Sequence, residues 1–200
     1  MNEDFKYLKR NLVIASSNMG KINEFKNFFS SLPLNLISQA DGLDINETGQ
    51  TFAQNASLKA LAVASFSGEL SLADDSGLSI KSLGGAPGIY SSRYASNDQK
   101  RIQRVLKELA ACENRDAIFC SALCIASPQG EILLEVEGRC EGLITHEPRG
   151  VNGFGYDPIF EVKSIGLTFA EMNKEQKQSL GHRGKAFKAL IPGLKKLFDL

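Results

Sequence analysis

Two runs in the middle of the chain decide most about its fold. Residues 117–127 and 131–144 flank the turn Pro128-Gln129-Gly130, which predicts a long antiparallel hairpin. On the second arm Leu133, Glu135, Glu137 and Arg139 fall at every second position, the spacing of a strand with one wet face. A two-stranded ribbon is marginal alone, so the rest of the chain has to supply further strands and a covering layer of helices.

Those elements read off in order. Residues 11–15 (NLVIA) suit a buried strand, and polar SSNMGK leads into a helix carrying Ile22, Phe25 and Phe29 on one face. Pro33 closes that helix, residues 34–38 form a second strand, and residues 39–50 make a loop rich in Asp, Asn and Gly. Thr51 to Gln54 is a capping-box pattern in which Gln54 reaches back to the cap, opening an alanine-rich helix to about Phe66. Residues 70–73 and 78–80 are expected as separate strands joined by a turn at Asp74-Asp75-Ser76-Gly77, and GGAPG forces a loop. Asn97 caps a helix with Ile102, Val105, Leu106 and Leu109. The last forty residues read as helical, broken or kinked at Ile191-Pro192-Gly193. The expected fold class is α/β, a mixed sheet with helices on its faces, the two chain ends forming one lobe and the hairpin region another.

Composition closes off several functions. Lys plus Arg number 23 and Asp plus Glu number 23, so the formal net charge is zero, which argues against a nucleic-acid module. A pocket for one small anion needs local charge only. No run approaches the ~20 apolar residues of a membrane span. MNEDFKYLKR carries Glu3 and Asp4 where a secretory signal needs an apolar core. Cys112, Cys120, Cys124 and Cys140 form no C-x-x-C pair, so free thiols in a reducing cytoplasm are expected rather than a zinc site or disulfides. The G-x-S-x-G, Walker A and G-x-G-x-x-G patterns are all absent.

Four segments place polar groups beside strand ends or helix starts, where ligands bind in α/β sheets. Ser16-Ser17-Asn18-Met19-Gly20-Lys21 reads either as an ordinary polar turn or as a phosphate loop, with backbone N–H groups and one lysine charge. Asp74-Asp75-Ser76-Gly77 reads either as an Asp-rich turn or as oxygen ligands for Mg²⁺, with Glu47 a further carboxylate. In Gly153-Phe154-Gly155-Tyr156-Asp157-Pro158, Phe154 either plugs the core or stacks a planar base, with Asp157 accepting from ring nitrogens. Lys177 would serve phosphate oxygens and Arg183, in Gly181-His182-Arg183-Gly184, base oxygens; otherwise Lys177 is a solvated helix face and His182 a structural histidine.

Taken together, SSNMGKINE, ETGQTFAQNASLKA, LADDSGL, LGGAPGIYSSRYA, EPRGVNGFGYDPIF and LGHRGKA resemble, in order, the inosine triphosphate pyrophosphatase family. The resemblance runs from about residue 12 to 190. It implies an elongated sheet with a cleft between two lobes, one domain over residues 1–200 after an N-terminal extension (1–10), and a cytoplasmic homodimer. The implied reaction is Mg²⁺-assisted hydrolysis of ITP, dITP and XTP to the monophosphate and pyrophosphate. Carried over, Ser16, Ser17, Asn18, Met19, Gly20 and Lys21 would bind the triphosphate, and Glu47 and Asp75 would hold Mg²⁺. Asp75 would also be the proton acceptor; Ser76, Phe154, Gly155, Tyr156, Asp157, Lys177, His182 and Arg183 would complete the nucleotide site. Asn55 and Lys59 match the family pattern, whereas Gln54 stands where the family commonly has glutamate, with a second metal position at stake. The competing readings are a Maf-like pyrophosphatase acting on other modified nucleotides and a nucleotide-binding regulator that does not hydrolyse.

Overall fold

The structure, a computed structural model, describes residues 10–43 and 45–200; residues 1–9 of the expected N-terminal extension lie outside them, and Arg10 already belongs to a strand. Strand β1 (Arg10–Ala15) leads through Asn18, whose side chain accepts from the Lys21 N–H, into helix α1 (Met19–Phe28). Strand β2 (Leu34–Ser38) follows Pro33 as expected. Helix α2 (Phe52–Ser67) starts on the Thr51 cap and ends at Gly68 in the left-handed conformation. Gln54 does reach back, but one residue beyond the cap, accepting from the Gln50 N–H at 2.7 Å.

The Asp-Asp-Ser-Gly segment is not a turn. Strand β3 (Ser71–Ile80) runs straight through it, paired with β4 (Asp116–Ala126) from Ser71↔Ala126 to Ile80↔Ala117. Two adjacent aspartates usually disfavour a strand. Here each is compensated on its own face of the sheet, as the site below shows. The hairpin partner β5 (Ile132–Ile144) leaves Glu135, Glu137 and Arg139 exposed, as the alternation requires. Helix α3 (Asp98–Glu108) is capped by Asn97.

The final stretch is less helical than its pattern suggested. Strands β6 (Phe160–Val162) and β7 (Leu167–Thr168) precede α4 (Lys174–Leu180) and α5 (His182–Phe198). Both strands are too short to show a period. Pro192 does not end α5: it lies on the exposed side of the helix, where water can serve the carbonyl that proline leaves unpaired.

All seven strands form one mixed sheet in the order β2-β1-β3-β4-β5-β6-β7, parallel only at β1–β2 and β1–β3. The two chain ends share a core of Leu12, Ile14, Phe25, Leu72, Leu123, Leu190 and Phe198 under α1 and α5. The hairpin end has its own, with Leu78, Val105, Phe119, Phe160 and Phe169. On the opposite face α2 lies on small residues, among them Ala73, Ala122 and Cys124. Helices thus cover both faces. Close packing of α5 on β5 depends on Gly138, where a Cβ would stand 2.2 Å from the Ala186 nitrogen and the His182 carbonyl oxygen. That contact sets the start of α5, with His182 and Arg183, hard against the sheet.

Among the described residues no helix is long and apolar enough to cross a membrane, and the four cysteines are unpaired. Burial pushes the Cys120 and Cys124 thiols up to about 11, so they behave as small apolar side chains.

Candidate active site

The cleft follows from one register difference. β1 pairs with β3 only as far as Ala15↔Ala73, whereas β3 continues to Ile80. From Asp74 to Gly77 the β1-side edge of β3 is therefore open, beside the carboxyl end of β1 and the start of α1, where α/β sheets bind ligands. A cavity of about 260 Å³ lies there, its wall including Asn18, Gly20, Lys21, Glu47, Asp75, Ser76, Phe154 and Arg183.

Because side chains alternate along a strand, Asp74 and Asp75 serve different faces. Asp75 points toward α2, where Asn55 and Lys59 lie one turn apart. Lys59 Nζ is 3.0 Å from Asp75 Oδ1 and 2.7 Å from Glu47 Oε1. Asn55 donates to Asp75 Oδ2 at 3.2 Å and accepts from the Gly49 N–H. Arg93 Nη1 holds the other oxygen of Glu47 at 2.8 Å. Burial raises the Asp75 carboxyl above its ordinary range and outweighs the pull of Lys59 and Lys21. Burial also opposes charge on Glu47, yet Lys59 and Arg93 hold its carboxyl below the usual value. Burial works against the Lys59 charge, but Asp75 and Glu47 together raise its pKa.

Asp74 points to the α1–α5 face and is 2% exposed. Its Oδ2 lies 2.8 Å from Lys21 Nζ and 3.4 Å from Arg183 Nε, and accepts from Ser76 Oγ at 2.9 Å. Ser121 donates to its Oδ1. Burial opposes charge on Asp74, but Lys21 and Arg183 hold the carboxyl far below the usual carboxylate range. Burial lowers the Lys21 amine despite Asp74.

The residues around Phe154 interlock. Lys177 Nζ contacts Asp157 Oδ2 at 2.6 Å and Glu24 Oε1 at 2.9 Å, and Arg183 Nη1 contacts Glu24 Oε2 at 3.0 Å. The Phe154 ring has Lys177 Nζ at 4.9 Å and Arg183 Cζ at 5.4 Å from its centroid, cation–π range. It also lies against Gly20, where a Cβ would come within 2.7 Å of the ring. His182 is stacked on Phe119 at 4.6 Å and 9°. Both its ring nitrogens are buried without a protein partner among the described residues, and burial holds its pKa well below the ordinary value.

Some expectations change. Asp157 lines the cavity, and its Oδ2 accepts both from the Phe154 N–H at 2.9 Å and from Lys177, so this 3%-exposed carboxylate also fixes the loop. Tyr156 lines the cavity, is buried and donates to the Ser91 carbonyl, which anchors this loop. Ser16, Ser17 and Met19 do not line the cavity, and Met19 is 63% exposed. Ser16 Oγ accepts from the Asn18 N–H. Gln54 lies outside the cavity wall, on the exposed side of α2. Lys177 lines a neighbouring cavity together with Glu24, His182 and Arg183.

Sequence reasoning missed Glu24, Asp98 and Ser121. Glu24 stands three residues after Lys21 on α1, a spacing that puts both on one helix face and could have flagged it. Asp98 Oδ2 accepts from the Gly155 N–H at 2.8 Å, and Ser121 is reached only through the β3–β4 register; neither leaves a local signal.

Among the described residues no three His, Cys, Asp or Glu side chains cluster to hold a metal. Two carboxylates suffice for Mg²⁺, which commonly takes one or two of them plus water and substrate phosphate. Glu47 and Asp75 each direct one oxygen to the same cationic centre, the Lys59 ammonium. A hard divalent cation fits that donor set.

A model of the Ham1 family matches residues 12–193. A dITP/XTP pyrophosphatase of Prochlorococcus marinus is 58% identical over 188 residues, covering 94% of each chain. Among solved structures, a HAM1 protein from Coxiella burnetii superposes with a TM-score of 0.85 at 41% identity, covering 94% of this chain and 99% of that one. The Staphylococcus aureus Ham1 protein gives 0.84 at 39% identity, covering 94% and 100%.

Proposed function

The chain belongs to the Ham1 family, and from that membership we propose how its cleft carries out the family's reaction. The protein is a nucleoside triphosphate pyrophosphatase that hydrolyses non-standard purine nucleoside triphosphates, dITP, ITP and XTP, to the monophosphate and pyrophosphate. The observation that carries the mechanism is the meeting of Glu47 and Asp75 on one cationic centre, in a cavity that also receives Lys21 and Arg183.

Glu47 and Asp75 would hold Mg²⁺. Bound there, the metal supplies charge neutralisation for the phosphates and a more acidic water. Asp75 accepts the proton of the water that attacks the α-phosphorus, and its raised pKa makes it a better acceptor than an ordinary aspartate. Attack at that phosphorus leaves pyrophosphate as the product. Lys21, at the start of α1, and Lys59 neutralise charge on the phosphate chain. Asn55 keeps Asp75 from swinging away, and Arg93 does the same for Glu47.

Phe154 stacks the purine. Arg183 donates to a 6-oxo group, which hypoxanthine and xanthine have and adenine lacks. A buried donor left facing an amine costs about 1–3 kcal/mol, enough for roughly tenfold selectivity. The assembly that accompanies this reading is a cytoplasmic homodimer without bound nucleic acid, supported by the family resemblance, the balanced charge and the unpaired cysteines.

Phosphate-product analysis with ITP, dITP, XTP, GTP and ATP, with and without Mg²⁺, tests the reading. Pyrophosphate released from the first three, and only with a divalent cation, is expected. Orthophosphate as the product, or equal turnover of ATP, would refute it.

A further inference from the structure

Asp74 belongs to none of the roles above, yet it is the most heavily bonded carboxylate of the cleft. Its single oxygen Oδ2 receives Lys21 Nζ at 2.8 Å, Ser76 Oγ at 2.9 Å and Arg183 Nε at 3.4 Å. Arg183 reaches it by a second route, since Nη2 donates to Ser76 Oγ at 2.7 Å. The Asp74 carbonyl also accepts from Lys21 Nζ at 3.4 Å. From behind, Ser121 on β4 pins Oδ1. The carboxylate is 2% exposed, so water does not screen these contacts. Lys21 stands at the phosphate end of the cleft and Arg183 at the base end; no hydrogen bond joins them directly.

We infer that Asp74 is the positioning residue that couples base recognition to the phosphate end of the cleft, because Lys21 and Arg183 compete for one of its oxygens. A base oxygen that draws on Arg183 loosens the guanidinium from Oδ2 and Ser76, and the carboxylate then bears more fully on Lys21. A base that offers Arg183 no acceptor leaves that oxygen shared. In a buried network such exchanges are felt along the chain of hydrogen bonds. Ser76 is the covalent neighbour of Asp75, so the same shift acts on the backbone that carries the proton acceptor. Asp74 touches neither phosphate nor base; it acts through the two cations. The inference rests on the pyrophosphatase reading and adds a route by which the 6-position of the purine governs turnover as well as binding.

The test compares kcat and KM for dITP and dATP, which differ at the 6-position, in the wild-type protein, Ser121→Ala and Asp74→Asn. Ser121→Ala releases Oδ1 while leaving every proposed substrate contact in place. Its dITP-to-dATP ratio of kcat/KM should fall about tenfold, chiefly through kcat for dITP, with KM for dITP changed less than about threefold. Asp74→Asn should bring the ratio down further. Equal losses on both substrates, with the ratio preserved in Ser121→Ala, would overturn the inference and leave Asp74 a purely structural ion-pair partner. Should Asp74→Asn fail to fold, Ser121→Ala decides alone. A wild-type protein that releases no pyrophosphate from dITP would instead refute the pyrophosphatase reading, a result distinct from an unchanged ratio.

Discussion

Asp74 and Asp75 are neighbours in sequence and opposites in chemistry. Asp74 lies on the α1–α5 face with Lys21, Arg183, Ser76 and Ser121 around it, and its carboxyl is held far below the ordinary range. Asp75 lies on the α2 face, bonded by Lys59 and Asn55, and burial raises its carboxyl. A strand turns one dipeptide into two separate environments. One carboxylate becomes a fixed charge that organises cations; the other is left able to take a proton. The open edge of β3 then lets both faces meet one cavity.

The sharpest way to break this contrast is Asp75→Asn. Removing a general base costs about 10²–10⁴-fold in rate, so kcat for dITP should fall by that order while circular dichroism and the melting temperature stay near wild type. A retained kcat would mean that the α2-face carboxylate is not the proton acceptor. Lys21→Ala acts across the sheet and should differ in kind. Charged hydrogen bonds are worth about 1.5–3 kcal/mol, so KM should rise by about 10–100-fold, and the melting temperature should drop as well because Asp74 loses a buried partner. If Lys21→Ala left both KM and kcat unchanged, the Asp74 face would have no part in holding the triphosphate.

How much of this was legible beforehand depends on range. The hairpin, the Thr51 and Asn97 caps and β2 were readable because a strand alternation or a cap is written in a few adjacent residues. The Asp-Asp-Ser-Gly segment was misread as a turn for the opposite reason. What keeps Asp74 in a strand is Lys21, Ser121 and Arg183, as far as 109 residues away. β6 and β7 were missed because strands of three and two residues carry no period. At the site the candidate residues came from motifs, but their division of labour did not. Asp157 was picked out as a base contact, but nothing local announced that its Oδ2 also holds the Phe154 N–H and Lys177. Glu24 stood unremarked in SSNMGKINE although it bridges Lys177 and Arg183.

His182 offers a gentler probe of the Asp74 face. Burial and the nearby Arg183 depress its pKa well below 6.5, outweighing Asp74. Unfolding therefore releases a histidine that gains a proton below its unfolded pKa, while the folded one stays neutral. Stability contributed by this group is full above about pH 6.5 and is lost as pH falls below it. Between about pH 7.5 and pH 5.5 the melting temperature of the wild type should drop more steeply than that of His182→Phe, because carboxylates common to both proteins cancel in the comparison. Parallel slopes would show that folding leaves the imidazole pKa unshifted from its unfolded value.

The smallest effect belongs to Gln54, and it marks where the metal-binding side of the cleft ends. The family resemblance implies a glutamate at this position, with a second metal position at stake. In this chain Gln54 uses only its carbonyl oxygen, accepting from the Gln50 N–H at 2.7 Å ahead of α2, and lies outside the cavity wall. A carboxylate would accept the same hydrogen bond, and a negative charge at a helix N-terminus is favourable by about 0.3–1 kcal/mol. Gln54→Glu should therefore raise the melting temperature slightly and leave the Mg²⁺ concentration for half-maximal activity within about twofold of wild type. A large gain in Mg²⁺ affinity would extend the metal-binding group from Glu47 and Asp75 to the first turn of α2. The α2 face would then resemble a two-metal site rather than a pair of carboxylates joined by one lysine.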